Sequence, residues 1–188
     1  MEPLARSLDT GLVLGLVEGL AELSLEADSM TYEVIMQMHF TTRSFEEVSL
    51  LRTKMQSAGV TPTRRTSLVL LKAALQLGRL DEALEHYGEV AAGVLSSLTA
   101  SAAPRHLAAQ LVELACRERR LEAVLGELEA KAMPMTTEML NAMLTECLRS
   151  KDEELTARVE QLSSDAVVEK SSRTYSLLVR LAGRDQEK

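Results

Sequence analysis

The chain has no tryptophan, two cysteines and four prolines, and aromatic residues make up only 3% of its 188 positions. Leu, Ala, Glu and Met dominate instead, a mixture that favours helices and is poor in the β-branched and aromatic residues on which strands are built. An all-α fold is therefore expected. Cys116 and Cys147 sit inside apolar helical patterns with no Cys or His at ligand spacing, which points to buried thiols rather than a disulfide framework or a zinc site. The longest apolar run, Gly11 to Val17, stops at Glu18, far short of the ~20 residues of a membrane-spanning helix.

Basic residues are nearly missing from the first 40 positions, where seven acids face only Arg6. That is the opposite of an Arg-rich organelle presequence, and the n-region of a secretory signal is not there either. Gly-rich phosphate loops, Ser nucleophile elbows and Cys-x-x-Cys pairs are also missing. His39, His86 and His106 are dispersed, without a recurring metal spacing. The sequence thus points away from an enzyme and offers no cofactor, metal or small-molecule site.

What is present is a repeat. An apolar pair, followed four residues after its first member by a small or polar residue, recurs as Ile35-Met36 with His39, Leu70-Leu71 with Ala74, Leu111-Val112 with Ala115, Met143-Leu144 with Cys147, and Leu178-Val179 with Ala182. The intervals of 35, 41, 32 and 35 residues are those of stacked two-helix units. A second amphipathic pattern begins about ten residues after each pair: Phe45, Val48 and Met55; Leu80, Ala83, Leu84 and Tyr87; Leu121, Val124, Leu125 and Leu128; and, two residues late, Leu155, Val159 and Leu162.

The turns agree. Ser44 with Glu47, and Ser150 with Glu153, read as capping boxes. Gly78 and Gly59-Val60-Thr61-Pro62 read as helix stops. Ten helices are expected in a single α-solenoid of about five repeats over residues 1–188, with bounds near 30–63, 64–104, 105–136 and 137–171 and half units over 1–29 and 172–188. The first half unit would be a lone second helix over about residues 8–24, in which Gly11, Gly15 and Gly19 line one face, and the last a lone first helix over about 172–182. Residues 91–104 would form an extended helix and a loose loop. Met135, Met139 and Met143 share a face that suits either a helix core or an adaptable protein-binding groove.

Several segments carry a resemblance: Met30-Thr31-Tyr32-Glu33-Val34-Ile35, Gly59-Val60-Thr61-Pro62, Gly78-Arg79-Leu80-Asp81-Glu82-Ala83-Leu84-Glu85 and Thr174-Tyr175-Ser176-Leu177-Leu178-Val179 resemble pentatricopeptide repeats. The resemblance covers about residues 8–182. It implies helix pairs stacked in a right-handed superhelix, and a function in binding single-stranded RNA inside a mitochondrion or chloroplast. It also implies that each base is read by the residue after the Thr-Tyr pair together with the residue that closes the repeat. Here those are Glu33 with Thr63, Leu68 with Pro104, Ala109 with Thr136, Asn141 with Ser171, and Ser176 alone. Only Asn141 with Ser171 resembles a usable, pyrimidine-preferring pair. Leu68 and Ala109 offer no hydrogen-bonding group to a base edge, and Glu33 brings negative charge.

Seven bases between Arg43 and Arg79, with only Glu46 and Glu47 among them, provide local positive charge in a chain of net charge −7, and Arg64 and Arg65 are its candidate RNA contacts. The alternative reading is a protein-binding α-solenoid scaffold, a structural subunit without sequence-specific RNA reading, whose half repeats meet protein partners or further repeats.

Overall fold

The computed structural model describes residues 27–95, 105–130, 135–150, 152–165 and 168–185. The expected lone helix at residues 8–24, its row of glycines, and the loop from 96 to Pro104 lie outside these. Among the described residues there are nine helices: α1 (Ser29–Thr41), α2 (Phe45–Ser57), α3 (Arg64–Leu77), α4 (Leu80–Leu95), α5 (Arg105–Arg117), α6 (Leu121–Ala130), α7 (Thr137–Ser150), α8 (Glu153–Asp165) and α9 (Ser172–Asp185). The odd-numbered helices are the first members of their repeats, and the fold is all-α, packed in chain order as helical repeats. None of the described helices is long and apolar enough to cross a membrane.

The chain divides into two compact units, Met1–His86 and Tyr87–Lys188, with α4 running across the division. In the first, α1 packs on α2 and on α3, and α2 on α3. Ile35, Met36 and Met38 of α1, Val48, Leu51 and Met55 of α2, and Val69, Leu70 and Ala73 of α3 form its core. Phe40 and Phe45 close the α1–α2 corner with ring centroids 5.3 Å apart. In the second unit α7 packs on α5, α8 and α9, and α5 on α6. Met139, Leu140, Met143, Leu144 and Cys147 of α7 are fully buried, so two members of the methionine stripe belong to the core, while Met135 precedes the helix and is half-buried. The fourth repeat's late register holds: Leu155 and Val159 of α8 are buried.

One turn recurs. Arg43, Gly59, Gly78 and Arg119 all adopt positive φ, between 57° and 72°. Each ends a helix with the same two bonds, from its own N–H to the carbonyl three residues back and from the next N–H to the carbonyl five back. This is the Schellman arrangement, which satisfies carbonyls the helix end would leave orphaned. Its recurrence at 43, 78 and 119 follows the intervals of the apolar pairs.

The capping boxes are corrected. Ser44 makes no side-chain cap bond, and its ψ is 62° rather than extended. At that ψ the hydroxyl is not aimed at the amides of the first turn; it accepts from Thr42 Oγ1 at 3.3 Å instead, while the Ser44 N–H closes the preceding turn on His39 O at 2.8 Å. In the fourth repeat the cap is Asp152, whose Oδ1 accepts from Leu155 N at 3.0 Å, while Ser150 only accepts from Asp152 N.

Positive φ costs a side-chain-bearing residue roughly 1 kcal/mol and glycine almost nothing. Arg43→Gly and Arg119→Gly should therefore each raise stability by up to about 1 kcal/mol, and Gly78→Ala should lower it by a similar amount. Urea denaturation followed by helical circular dichroism checks all three.

Candidate nucleic-acid interface

Thr63 is the N-cap of α3, accepting from Thr66 N at 3.2 Å. Its hydroxyl reaches back to α1 and donates to Glu33 Oε2 at 3.2 Å. Since that uses the one Thr63 hydroxyl proton, the 3.0 Å contact with Thr66 Oγ1 is donated by Thr66. The chain Thr66 to Thr63 to Glu33 thus ends on a carboxylate, which Arg65 also approaches at 3.9 Å.

Three repeats later the same positions make a closed ring. Ser171, which precedes α9, accepts from Thr174 N at 3.2 Å. Thr174 Oγ1 donates to Asn141 Oδ1 at 2.8 Å, Asn141 Nδ2 points to Ser171 Oγ at 3.5 Å, and the two hydroxyls are 3.0 Å apart. Thr66 and Thr174 are fully buried, and their rings of donors and acceptors fix how one first helix sits on the next. A second bond accompanies each clasp: Ser29 Oγ to Thr61 O at 3.1 Å, and Thr137 Oγ1 to Glu169 O at 2.7 Å.

The structure therefore brings together two of the expected pairs, Glu33 with Thr63 and Asn141 with Ser171. Leu68 and Ala109 are half-buried and carry no polar group, Thr136 caps α7 by accepting from Met139 N at 3.2 Å, and Pro104 lies outside the described residues. Ser176 is exposed and bonds within its own helix, to Ser172 O at 2.9 Å. Of the clasp threonines, Thr174 was visible in the sequence only as the first letter of the Thr174-Tyr175 motif and Thr66 bore no such mark, and the structural role of both was missed.

In the second unit Asn141 and Ala109 line a groove of about 460 Å³ along α5, α7 and the start of α9. Arg117, Arg149 and Arg173 line it together with Glu113, Glu138 and Glu146, so its charges balance. Arg149 is held by Glu146 through bonds of 2.9 and 3.0 Å, which raise its already high pKa. Cys116, at the groove wall, has its thiol pushed up to about 12, first by burial and then by the Glu146 charge; Cys147 is raised by burial. Neither carries useful thiolate at neutral pH.

The basic segment of the first unit does not act as one patch. Arg79 pairs with Glu46 and Glu82, and Arg52 with Glu85 at 3.7 Å, all at the second-helix side. Arg64 and Arg65 instead begin α3, exposed, with the Arg65 side chain 84% accessible. Among the described residues no three His, Cys, Asp or Glu side chains are grouped to hold a metal.

No family model matches the chain, and no curated protein matches it in sequence. In structure it is similar to nuclear proteinaceous RNase P 2 (PRORP2) from A. thaliana, with a TM-score of 0.60 at 15% identity over 93% of this chain. The chain spans 39% of the length of that one. At that identity the likeness establishes the fold: this is an α-helical repeat module.

Removing the Thr174 hydroxyl while keeping its shape leaves Asn141 Oδ1 and the Ser171 N–H without their partner. Thr174→Val should cost about 1–2 kcal/mol in chemical denaturation, and Ser176→Ala, outside any clasp, less than about 0.5. Both thiols should react with an aromatic disulfide reagent at pH 8 far more slowly in the native chain than in guanidinium, where the ordinary thiol pKa returns.

Proposed function

We propose that the chain is a pentatricopeptide-type module that binds single-stranded RNA through first helices of its repeats, each unit supplying its own contacts. The observation that carries this reading is the Asn141–Ser171 pair beside the groove. Thr174 fixes the Asn141 carbonyl, while the amide hydrogens are committed only to a 3.5 Å contact. An oriented amide N–H that is cheaply released suits an acceptor on a pyrimidine edge. Arg173 at the groove, and Arg64 and Arg65 on the first turn of α3, supply phosphate contacts. Glu33 and Thr63 hold each other and add structure rather than readout. The similar fold belongs to a protein named as an RNase P, which supports RNA as the ligand class. In this reading the module binds and does not catalyse, and it works in organellar RNA metabolism.

With one usable base pair and few cations, binding should be modest and weakly selective. Fluorescence anisotropy with labelled pyrimidine-rich and purine-rich single strands tests it. Expected are saturable binding, a slope of log affinity against log salt near about −2, as three phosphate contacts give for single strands, and a loss of about tenfold for Arg65→Glu with Arg173→Glu. Asn141→Ala should abolish any pyrimidine preference. Binding absent at low salt, or unchanged by the double charge reversal, would reject the RNA reading and leave the scaffold reading. Fractionation of cells expressing the full gene product tests the organelle.

A further inference from the structure

Five large apolar side chains are exposed among the described residues, and four of them fall on the first and last helices: Met30 (71%) and Val34 (40%) on α1, Tyr175 (57%) and Val179 (70%) on α9. Aligning the repeats by their apolar pairs gives Val34, Tyr175 and Val179 a meaning. Val34 holds the position of Val69 in α3 and Leu177 in α9, which are 6% and 7% exposed. Val69 belongs to the core shared with α1 and α2, and α9 packs on α7, so this position faces the preceding first helix. Tyr175 and Val179 hold the positions of Leu140 and Leu144 in α7, both fully buried in a helix that has α8 and α9 following it. That face meets what comes next.

The polar positions complete the match. In each clasp a cap residue and the residue three beyond it bond the first helix before them. On α1 the corresponding residues are Asp28 and Thr31, with Asp28 Oδ1 accepting from Thr31 N at 2.8 Å and from its hydroxyl at 2.7 Å. On α9 the residue such a pair would bond is Ser176, exposed and bonded only within its own helix. Charge agrees as well: α1 brings Asp28 to this end, Glu33 being turned to Thr63 and Arg65, and α9 carries Arg180 beyond Ser176.

We propose that the chain associates head to tail with a second copy of itself, α1 of one copy seating on α9 of the other as an ordinary first-helix joint. Val34 then takes the place that Val69 and Leu177 have in the internal joints, Tyr175 and Val179 become covered, and the Ser176 hydroxyl donates to the Asp28 carboxylate. Such a joint uses two different faces, so it is heterologous and continues into a closed ring or an open row rather than stopping at a two-fold pair.

Sedimentation velocity on the full chain without RNA, from about 5 to 200 µM, tests this with Val34→Glu and Val179→Glu. Both residues are exposed, so both variants should keep the wild-type circular dichroism. The wild type should rise with concentration above the 20.6 kDa of one chain. Each variant should associate at least about tenfold more weakly, and an equimolar mixture of the two should recover association but stop at one-to-one pairs, since it contains one intact face of each kind. A wild type that stays at one chain's mass overturns the proposal and leaves these faces to other proteins or further repeats. So does association that survives both substitutions, or a mixture that recovers nothing.

Discussion

Two adjacent residues in the middle of a helix lie about 100° apart around its axis, so burying both requires neighbours on two sides. Ile35-Met36, Leu70-Leu71, Leu111-Val112 and Met143-Leu144 are all buried. The pair cannot be satisfied by a single partner helix, and a two-helix hairpin alone would leave one member wet. Each repeat therefore needs another beside it, and within each unit successive first helices pack on one another. The small residue next on that face keeps the helices close: Ala74, Ala115 and Cys147 are all essentially inaccessible. On α9 the corresponding residue, Val179, stands 70% exposed in a position that is otherwise dry.

Apolar burial does not set rotation or slide between first helices; the clasps do. Thr63 and Thr66 on Glu33, and Ser171 and Thr174 on Asn141, spend the same side chains that a base-reading repeat would offer to its ligand. The two uses differ in what they leave over. A carboxylate has no proton to donate to a base edge, and this one, which accepts from Thr63 and meets Arg65, opposes its charge to phosphate. An amide accepts with its oxygen and still holds donors, so the Asn141 clasp can orient the residue without silencing it. Readout and structure are compatible in one repeat and in conflict in the other.

The architecture was legible because its signal is redundant: five apolar pairs at near-constant interval, with turns between them, overdetermine helix and register. Even the late start of α8 followed from Leu155 and Val159. The caps were less legible because capping depends on ψ, which a serine's identity does not fix. Arg43 and Arg119 gave no hint of positive φ, since nothing in an arginine's identity favours it. The candidate pairs could be named from the repeat register, yet the hydroxyls that tie them lay one helical turn further on and looked like ordinary helix starts.

Charge was the feature that the linear sequence misrepresented most. Seven bases in the 37 residues from Arg43 to Arg79 read as a cationic stretch, but a two-helix repeat sends alternate segments of chain to different faces. Glu46 meets Arg79, Ser49 meets Glu82 at 3.4 Å and Arg52 meets Glu85, three successive rungs in which each residue pairs with one 33 positions later. These exposed and half-exposed pairs contribute little stability each, but they withdraw two arginines from any field directed at the first-helix face. In the first unit α3 still carries Arg64, Arg65 and Lys72, and the other unit has a groove whose three arginines are matched by three glutamates. A polyanion held there gains from local contacts within a Debye length of about 8 Å rather than from long-range attraction. Occupancy must then depend on fit along the groove more than on the attraction a basic stretch suggests.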